Sequence, residues 1–394
     1  MITCAAVTAQ AKQWSLTDCI NYALEQNIQV RKSAVSVSLG EISLQQAKDN
    51  MLPSLSGSMG ENLGWRLDAG GTDESSWVGS SRTTASLSSG LTLFSGFQLR
   101  NRVRLAGLDY KSLEYSADQT RESVSLNIMS AYLQVLYSEE QVINARNQAE
   151  ATREELALAA ERLTLGAIAN SDYLQVKTQL ASEESSLATA VNNLKMAKLN
   201  LMQLMEYPVD ESFEIARPDI DAFISTAPAA DAVSVYQEAL EVKPQIKIAS
   251  INRENASIDL EMARAGFLPS LSLSAGMSTG FTEAAEMGAQ LKNGFSPSVG
   301  LSASVPIFRN NQNKTAVSRA KYGITTAELD ELNTRNQLRK EVEQAVLDAE
   351  SALISYQAAL NRYDSSVETY NLSEEKFKLG AMNSVDFLIQ KTNL

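Results

Sequence analysis

The sequence predicts an α+β membrane protein with a two-fold internal repeat, in which long antiparallel coiled-coil helices are joined to four bilayer-crossing strands. Three observations carry that prediction. The chain repeats its own motifs at a nearly constant shift, four short runs alternate apolar with small polar residues, and the helical stretches are too long for a globule.

The repeat sets the architecture. Leu52-Pro53-Ser54-Leu55-Ser56 returns as Leu268-Pro269-Ser270-Leu271-Ser272, a shift of 268 − 52 = 216. Glu161-Arg162-Leu163-Thr164-Leu165-Gly166-Ala167 returns as Glu375-Lys376-Phe377-Lys378-Leu379-Gly380-Ala381, a shift of 380 − 166 = 214. Beyond each glycine, Asp172, Leu174, Lys177, Thr178 and Leu180 meet Asp386, Leu388, Lys391, Thr392 and Leu394. Each copy reads helix, strand, loop, strand, very long helix, tight turn, long helix. The second stops after its turn, so the counterpart of residues 181–207 is expected to be missing.

The division expected is a signal-peptide remnant at 1–11, a first repeat at 12–207, an equatorial linker at 208–228 and a second repeat at 229–394. Within the repeats, strands are expected near 54–66, 83–95, 270–281 and 297–308. Long helices are expected at 98–165, 171–205 and 309–379, with a truncated returning helix at 384–394. Ala9-Gln10-Ala11 has the form a signal peptidase cuts, although the stretch lacks a positive start and an unstructured terminus is the alternative.

The strands follow from a period of two. Leu55, Gly57, Met59, Glu61, Leu63 and Trp65 alternate with Ser56, Ser58, Gly60, Asn62 and Gly64, and Ala85, Leu87, Leu91 and Leu93 alternate with Ser86, Ser88, Gly90 and Thr92. Leu271, Leu273, Ala275, Met277 and Phe281 do the same against Ser and Gly, as do Val299, Leu301, Ala303, Val305 and Ile307. Each run approaches the roughly 9–11 residues of a tilted membrane strand. A soluble sandwich is the alternative, but its wet face usually carries Lys, Glu and Arg, which are scarce here. Four strands cannot close a barrel, and open edges in hydrocarbon leave backbone groups unpaired, so several protomers must share one barrel. Leu67 to Arg82 and Thr282 to Ser296 read as outward loops.

The helices follow from what is absent. Gln98 to Leu165 contains no proline and a single glycine, Gly107, so a helix there would extend roughly 100 Å at about 1.5 Å per residue. A heptad frame runs along it, with Ile128, Val135, Val142, Ala149, Leu156 and Leu163 at one position. Ala131, Ser138, Ala145, Thr152 and Ala159 take the other. The same frame gives Val342, Ala349, Tyr356, Tyr363, Tyr370 and Phe377 in the second copy, and Val176, Leu180, Leu187, Leu194, Leu201 and Leu204 form a facing seam. No window reaches the roughly 18–20 consecutive apolar residues of a membrane-spanning helix.

Gly166 and Gly380 fit helix stops at positive φ, with Asn170 or Ser171 and Asn383 or Ser384 as the following caps. Asp172 and Asp386 fall in the first turn of the returning helix, where the helix dipole favours a carboxylate in any protein; a transport role is the alternative.

Composition excludes whole classes of function. The chain has 394 residues, Lys+Arg 34 against Asp+Glu 47, and a formal net charge of -13, which repels phosphate backbones and makes nucleic acid an unsuitable partner. It contains no histidine, so a Ser-His-Asp triad, a Cys-His dyad and His-based metal sites are excluded. Cys4 and Cys19 are too few for a disulfide framework. No pair of carboxylates stands apart from surface charge, and no catalytic residue, metal ligand or cofactor site is expected.

With these residues in hand, the chain resembles the TolC-like outer-membrane efflux proteins over nearly its whole length. The resemblance rests on Trp14-Ser15-Leu16-Thr17-Asp18-Cys19 opening an Ala23-Leu24-Glu25 helix, on the paired Leu-Pro-Ser-Leu strand entries, and on the paired Leu-Gly turns followed by Asp172 and Asp386. It implies a homotrimer with a twelve-stranded barrel in the outer membrane and a periplasmic tunnel of helices that opens at its tip. The function implied is a passive exit duct of a tripartite efflux or type I secretion system, not an enzyme. The partners implied are a periplasmic adaptor, an inner-membrane transporter of RND or ABC type, and outer-membrane lipid.

The adaptor contacts implied are Leu163, Thr164, Leu165 and Gly166 on one turn and Phe377, Lys378, Leu379 and Gly380 on the other. Asp386 matches an entrance ring that favours cations, with Asp172 its counterpart in the first copy. Ile389 does not match a second ring, and Phe377 and Met382 stand where some members carry a latching tyrosine and arginine. The alternatives are a periplasmic adaptor, distinguished by soluble strands, and a coiled-coil scaffold, which leaves the alternating runs without purpose.

Overall fold

The computed structural model describes residues 13–69, 75–218, 231–282, 290, 294–382, 386–387 and 390–391. The expected signal remnant, Cys4, the caps Asn383 and Ser384, and Ile389 lie outside the described residues. The elements are β1 (Gln13–Trp14), α1 (Leu16–Gln26), α2 (Ile28–Asp49), β2 (Ser54–Ala69), β3 (Ser75–Ser95), α3 (Gln98–Thr164) and α4 (Asn170–Met205). They continue as β4 (Glu214–Ile215), α5 (Ala232–Val242), α6 (Pro244–Ala265), β5 (Ser270–Thr282), β6 (Ser296–Ser304) and α7 (Gln312–Lys378). Long helices combined with antiparallel strands give the chain an α+β composition.

The chain divides into two compact units. One comprises Met1–Ala34, Ala117–Lys243 and Arg335–Leu394; the other comprises Val35–Ser116 and Pro244–Thr334.

The second unit holds a four-stranded antiparallel sheet in the order β2-β3-β5-β6. Its register gathers most apolar side chains on one face, which also carries Glu61, Ser81, Thr83 and Ser89, and most serines and glycines on the other. Leu87 pairs with Met277, Leu91 with Leu273, and Leu273 with Leu301, while Ser58 pairs with Ser86, Ser86 with Ser278, and Ser278 with Ser296. Hydroxyls cross the small face, with Ser56 Oγ to Ser88 Oγ at 2.9 Å and Ser58 Oγ to Ser86 Oγ at 2.7 Å. The apolar face is uncovered, and Met59 is 77% and Val299 80% exposed. A bulge between Thr92 and Phe94 places Phe94, rather than the expected Leu93, opposite Leu271. The one-residue slip keeps an aromatic ring on the apolar face as the strand leaves the sheet.

Two strand boundaries differ from the sequence reading. Residues 67–69 and 75–82, expected as loop, extend the β2–β3 hairpin, with Ala69 pairing Ser75. Trp77, Val78, Thr83 and Thr84 are β-formers, and Trp65 lies across from Gly79, where the missing side chain leaves room for its ring. The last strand ends at Ser304, short of the expected 308, because Pro306 has no N–H to continue a ladder. The following helix begins at Gln312 instead of 309, after Asn310 and Asn311 adopt φ of 50° and 60°, a conformation Asn tolerates better than most residues.

The first unit packs on the predicted seam. Ile128, Val135, Val142 and Ala149 of α3 are buried, as are Ala131, Ser138, Thr152 and Ala159 of the alternate position, and Val176, Ala197 and Leu201 of α4 are buried too. Burying one large apolar side chain contributes about 1.5–3 kcal/mol, so the seam holds two long helices without a globular centre. The second-copy frame is less enclosed: Ala349 and Tyr363 of α7 are exposed.

At one end of the seam Trp14, Tyr22, Tyr207 and Phe213 form an aromatic cluster, with Trp14 edge-on to Tyr22 at 5.4 Å and to Tyr207 at 5.3 Å. Ser15 caps α1 in a reciprocal box with Asp18. β1 pairs in parallel with β4, so Phe213 and Ile215, inside the expected linker, are buried. Tyr132 donates from its hydroxyl to the Trp14 and Ala216 carbonyls, and burial raises that hydroxyl to about 12.

Leu201 has no exposed surface. Leu201→Ala is expected to lower stability by about 3 kcal/mol, measured by denaturant unfolding followed through the helical circular dichroism signal.

Candidate functional site

The paired turns that the sequence singles out have one geometry. Gly166 lies at φ 71° and Gly380 at φ 73°. At the first turn the Gly166 N–H donates to the Leu163 carbonyl at 3.0 Å and the Ala167 N–H to the Arg162 carbonyl at 2.8 Å. At the second, Gly380 donates to Phe377 at 3.1 Å and Ala381 to Lys376 at 2.8 Å. This is the Schellman closure of a helix, in which a left-handed residue turns the chain so that orphan carbonyls find partners. A Cβ on either glycine would meet nothing within 4 Å, so the demand for glycine is conformational and not steric.

Each turn presents a bare leucine. Leu165 is 76% and Leu379 84% exposed, which single-chain packing does not explain. Thr164 is occupied locally, donating to the Glu161 carbonyl at 2.7 Å, and Lys378 pairs with Glu374 at 2.9 Å. Leu163 and Phe377 are half-buried.

Phe377 ties the two hairpins together. The Arg162 guanidinium lies 5.1 Å from its ring centroid, and Phe387 stacks on it at 4.7 Å with an interplanar angle of 4°. Tyr370 adds a ring 5.8 Å from Phe387. The contacts that hold Phe377 are therefore aromatic stacking and a cation–π interaction.

The two aspartates have different surroundings. Asp172 is half-buried beside Arg162 and Phe377, and accepts from Ser171 Oγ at 3.3 Å, whereas Asp386 is exposed. The expected cap for α4 is corrected: Ala169 occupies the cap position at φ -77° and ψ 151°, without a side-chain hydrogen bond. The Ala169 carbonyl accepts from Asp172 N–H at 3.1 Å, so Asn170 already lies inside the helix.

The sequence reading missed a polar group buried in the seam. Lys391 is 7% exposed, donates to Thr152 Oγ1 at 2.9 Å, and has its Nζ 3.5 Å from Glu155 Oε2. Among the described residues Lys391 is the polar group nearest to Glu155, at a distance long for a hydrogen bond, and Glu183 nearby accepts from Gln179 and Gln148 through Oε1. Burial holds the Glu155 carboxyl above the usual carboxylate range; Lys391 opposes that rise and Glu183 adds to it. Lys177, which matches Lys391 in the repeat, is exposed. Thr152, in a heptad position otherwise filled by alanine and Ser138, was the available signal, but its partner lies 239 residues away.

Two predictions follow from this geometry. Gly166→Ala is expected to cost about 1–2 kcal/mol through backbone strain alone. Gly323→Ala, equally free of contacts but helical, is expected to stabilise by up to about 1 kcal/mol; paired thermal melts distinguish the two. Lys391→Met leaves Glu155 buried without its counter-charge and is expected to weaken local stability by about 3 kcal/mol at neutral pH. The folded carboxyl lies above its unfolded value, so its stabilising contribution is full below the unfolded pKa and is lost as pH rises through the folded one. The substitution moves that loss to higher pH, as read by hydrogen exchange of the α3 amides around Thr152.

Comparison with known proteins places the fold. The family model described as outer membrane efflux protein matches residues 19–205 and 235–394. Outer membrane protein TolC of Escherichia coli is 25% identical over 316 residues, covering 76% of this chain and 61% of TolC. The pyoverdine export outer membrane protein OpmQ of Pseudomonas aeruginosa is 26% identical over 242 residues, 60% of this chain and 50% of OpmQ. The chain therefore spans between about half and three fifths of the length of these relatives. Among solved structures, the Campylobacter jejuni CmeC outer membrane channel superposes with a TM-score of 0.79 at 19% identity, over 96% of this chain and 79% of that one. The open state of the Neisseria gonorrhoeae MtrE outer membrane channel gives a TM-score of 0.79 at 21% identity, over 96% and 82%. With the family model matching most of its length, this chain belongs to the outer membrane efflux protein family.

Proposed function

We propose that the protein is an outer-membrane exit duct through which substrates pass passively from the periplasm to the exterior, as one component of a tripartite efflux or type I secretion system. The observation that carries this reading is the sheet. One face is apolar and uncovered, the other is lined by serine and glycine, and β2 and β6 are each paired on one side only among the described residues. In hydrocarbon every backbone group needs a partner, so β6 of one copy joins β2 of the next until the ring closes. Three copies of four strands give a twelve-stranded barrel, with the small-residue face lining water and the apolar face against lipid.

On this reading residues 12–207 and 229–394 are two structural repeats, supported by the matching turns at Gly166 and Gly380. Their helices form the periplasmic tunnel. The turn residues Leu163 to Gly166 and Phe377 to Gly380 receive a periplasmic adaptor, and the uncovered Leu165 and Leu379 provide its apolar contact. Asp386, exposed at the first turn of the returning helix, forms an anionic ring at the entrance, and Asp172 is its counterpart in the first repeat. Energy for transport comes from an inner-membrane transporter of RND or ABC type. The duct itself performs no chemical step, a reading supported by its structural likeness to the CmeC and MtrE outer membrane channels.

The test is conductance in a planar bilayer. The purified protein is expected to insert and carry ions with a preference for cations, and Asp386→Asn is expected to reduce that preference. A correctly inserted trimer that never conducts would overturn the duct reading; unchanged selectivity in the variant would return Asp386 to a helix-end role.

A further inference from the structure

In the unit that holds the sheet, the first turns of α3 and the last turn of α6 line an open, solvent-facing cavity of about 560 Å³. Its walls include Phe97, Arg100, Asn101, Arg104, Glu261 and Arg264. Arg104 is engaged, 3.0 Å from Glu261 and 3.4 Å from Asn101 Oδ1. Arg100 and Arg264 are exposed and form no ion pair among the described residues. Three guanidiniums thus face one carboxylate, in a chain whose net charge is -13.

The surplus extends beyond the cavity. The stretches Thr83 to Leu108, Met262 to Thr282 and Gly294 to Ala327 contain Arg100, Arg102, Arg104, Arg264, Arg309, Lys314, Arg319 and Lys321, and not one Asp or Glu. These stretches contain the junctions where β3 passes into α3, α6 into β5, and β6 into α7. Exposed rings stand at the same junctions, in Phe97, Phe267 and Phe308. Basic groups beside aromatic rings, at the boundary between an apolar face and a wet helical region, are the chemistry of a membrane interface. Arginine is suited to the task because its planar fork matches phosphate oxygens in pairs.

We infer that this cavity binds the phosphate headgroup of an anionic phospholipid, with Arg100 and Arg264 as its ligands and Phe97 against the start of the acyl chains. The inference rests on the proposed membrane-spanning role of the strands, which puts the strand-to-helix junctions at the bilayer surface on the helical side. Glu261 holds Arg104 in place and leaves the other two arginines for the ligand. Free inorganic phosphate shares the recognition chemistry, so the test separates the two.

Purified protein in neutral detergent is supplied with phosphatidylglycerol, with diacylglycerol, or with inorganic phosphate alone, and bound molecules are counted by native mass spectrometry. Phosphatidylglycerol is expected to be retained and diacylglycerol lost. The R100Q/R264Q variant is expected to bind phosphatidylglycerol roughly thirtyfold more weakly, at roughly fivefold per arginine, while R100K/R264K, which keeps the charge but not the paired donors, recovers only part of the binding. Inorganic phosphate held as strongly as the lipid would overturn the lipid assignment. Wild-type protein that retains both lipids equally would overturn the site, and that comparison needs no variant. Protein that fails to float with liposomes would sink the membrane reading itself, whereas protein that floats without lipid preference sinks this inference alone.

Discussion

The constraint on which the rest depends is the pairing of backbone groups along the two outer edges of the four-stranded sheet. Water could satisfy those edges, but hydrocarbon cannot, and each unpaired group there costs several kcal/mol. The exposed side chains say which solvent applies. A face bearing Leu55, Met59, Val299 and Leu301 is costly in water and neutral in lipid. Edge pairing between copies is therefore what makes the proposed assembly obligatory, and the serine and glycine of the opposite face keep the enclosed space open.

The helical part answers a different problem, which is how to hold long elements without a globular core. Alternating large and small residues along α3, from Ile128 to Ala159, lets α4 approach closely for the length of the seam. The seam is not uniformly apolar. Thr152, Glu155 and Lys391 place a buried charge pair near the turn end of the hairpins, where an all-alanine position would have packed more simply. A buried pair of this kind adds little net stability over an apolar substitute, but losing one partner is costly. It therefore constrains which helix face lies against α3 more than it strengthens the contact.

The two turns show how the same local sequence is put to the same conformational use while the surroundings diverge. Gly166 and Gly380 close their helices by identical hydrogen bonds. Yet Lys177 is exposed and Lys391 buried, Asp172 is half-buried and Asp386 exposed. Equivalence along the chain governs φ and hydrogen bonding at the glycine, because those depend on a few neighbouring residues. Environment depends on which helix arrives from far away, and the two copies have different neighbours.

The sequence alone determined the elements whose causes are local or periodic: the alternation that makes β2, β3, β5 and β6, the proline-free lengths of α3 and α7, the heptad frame, and the positive φ of both glycines. These signals repeat every two or every 3.5 residues, or sit at one residue type, so a single chain displays them. The tertiary structure alone decided where the first hairpin ends, that Ala169 rather than Asn170 begins α4, that Phe377 stacks with Phe387 under Arg162, and that Lys391 reaches Thr152. It also gathered Arg100 and Arg264 into one cavity. Each of these pairs residues far apart in sequence, or sets a boundary by competition between neighbouring elements, and no periodicity encodes a partner that only folding brings near.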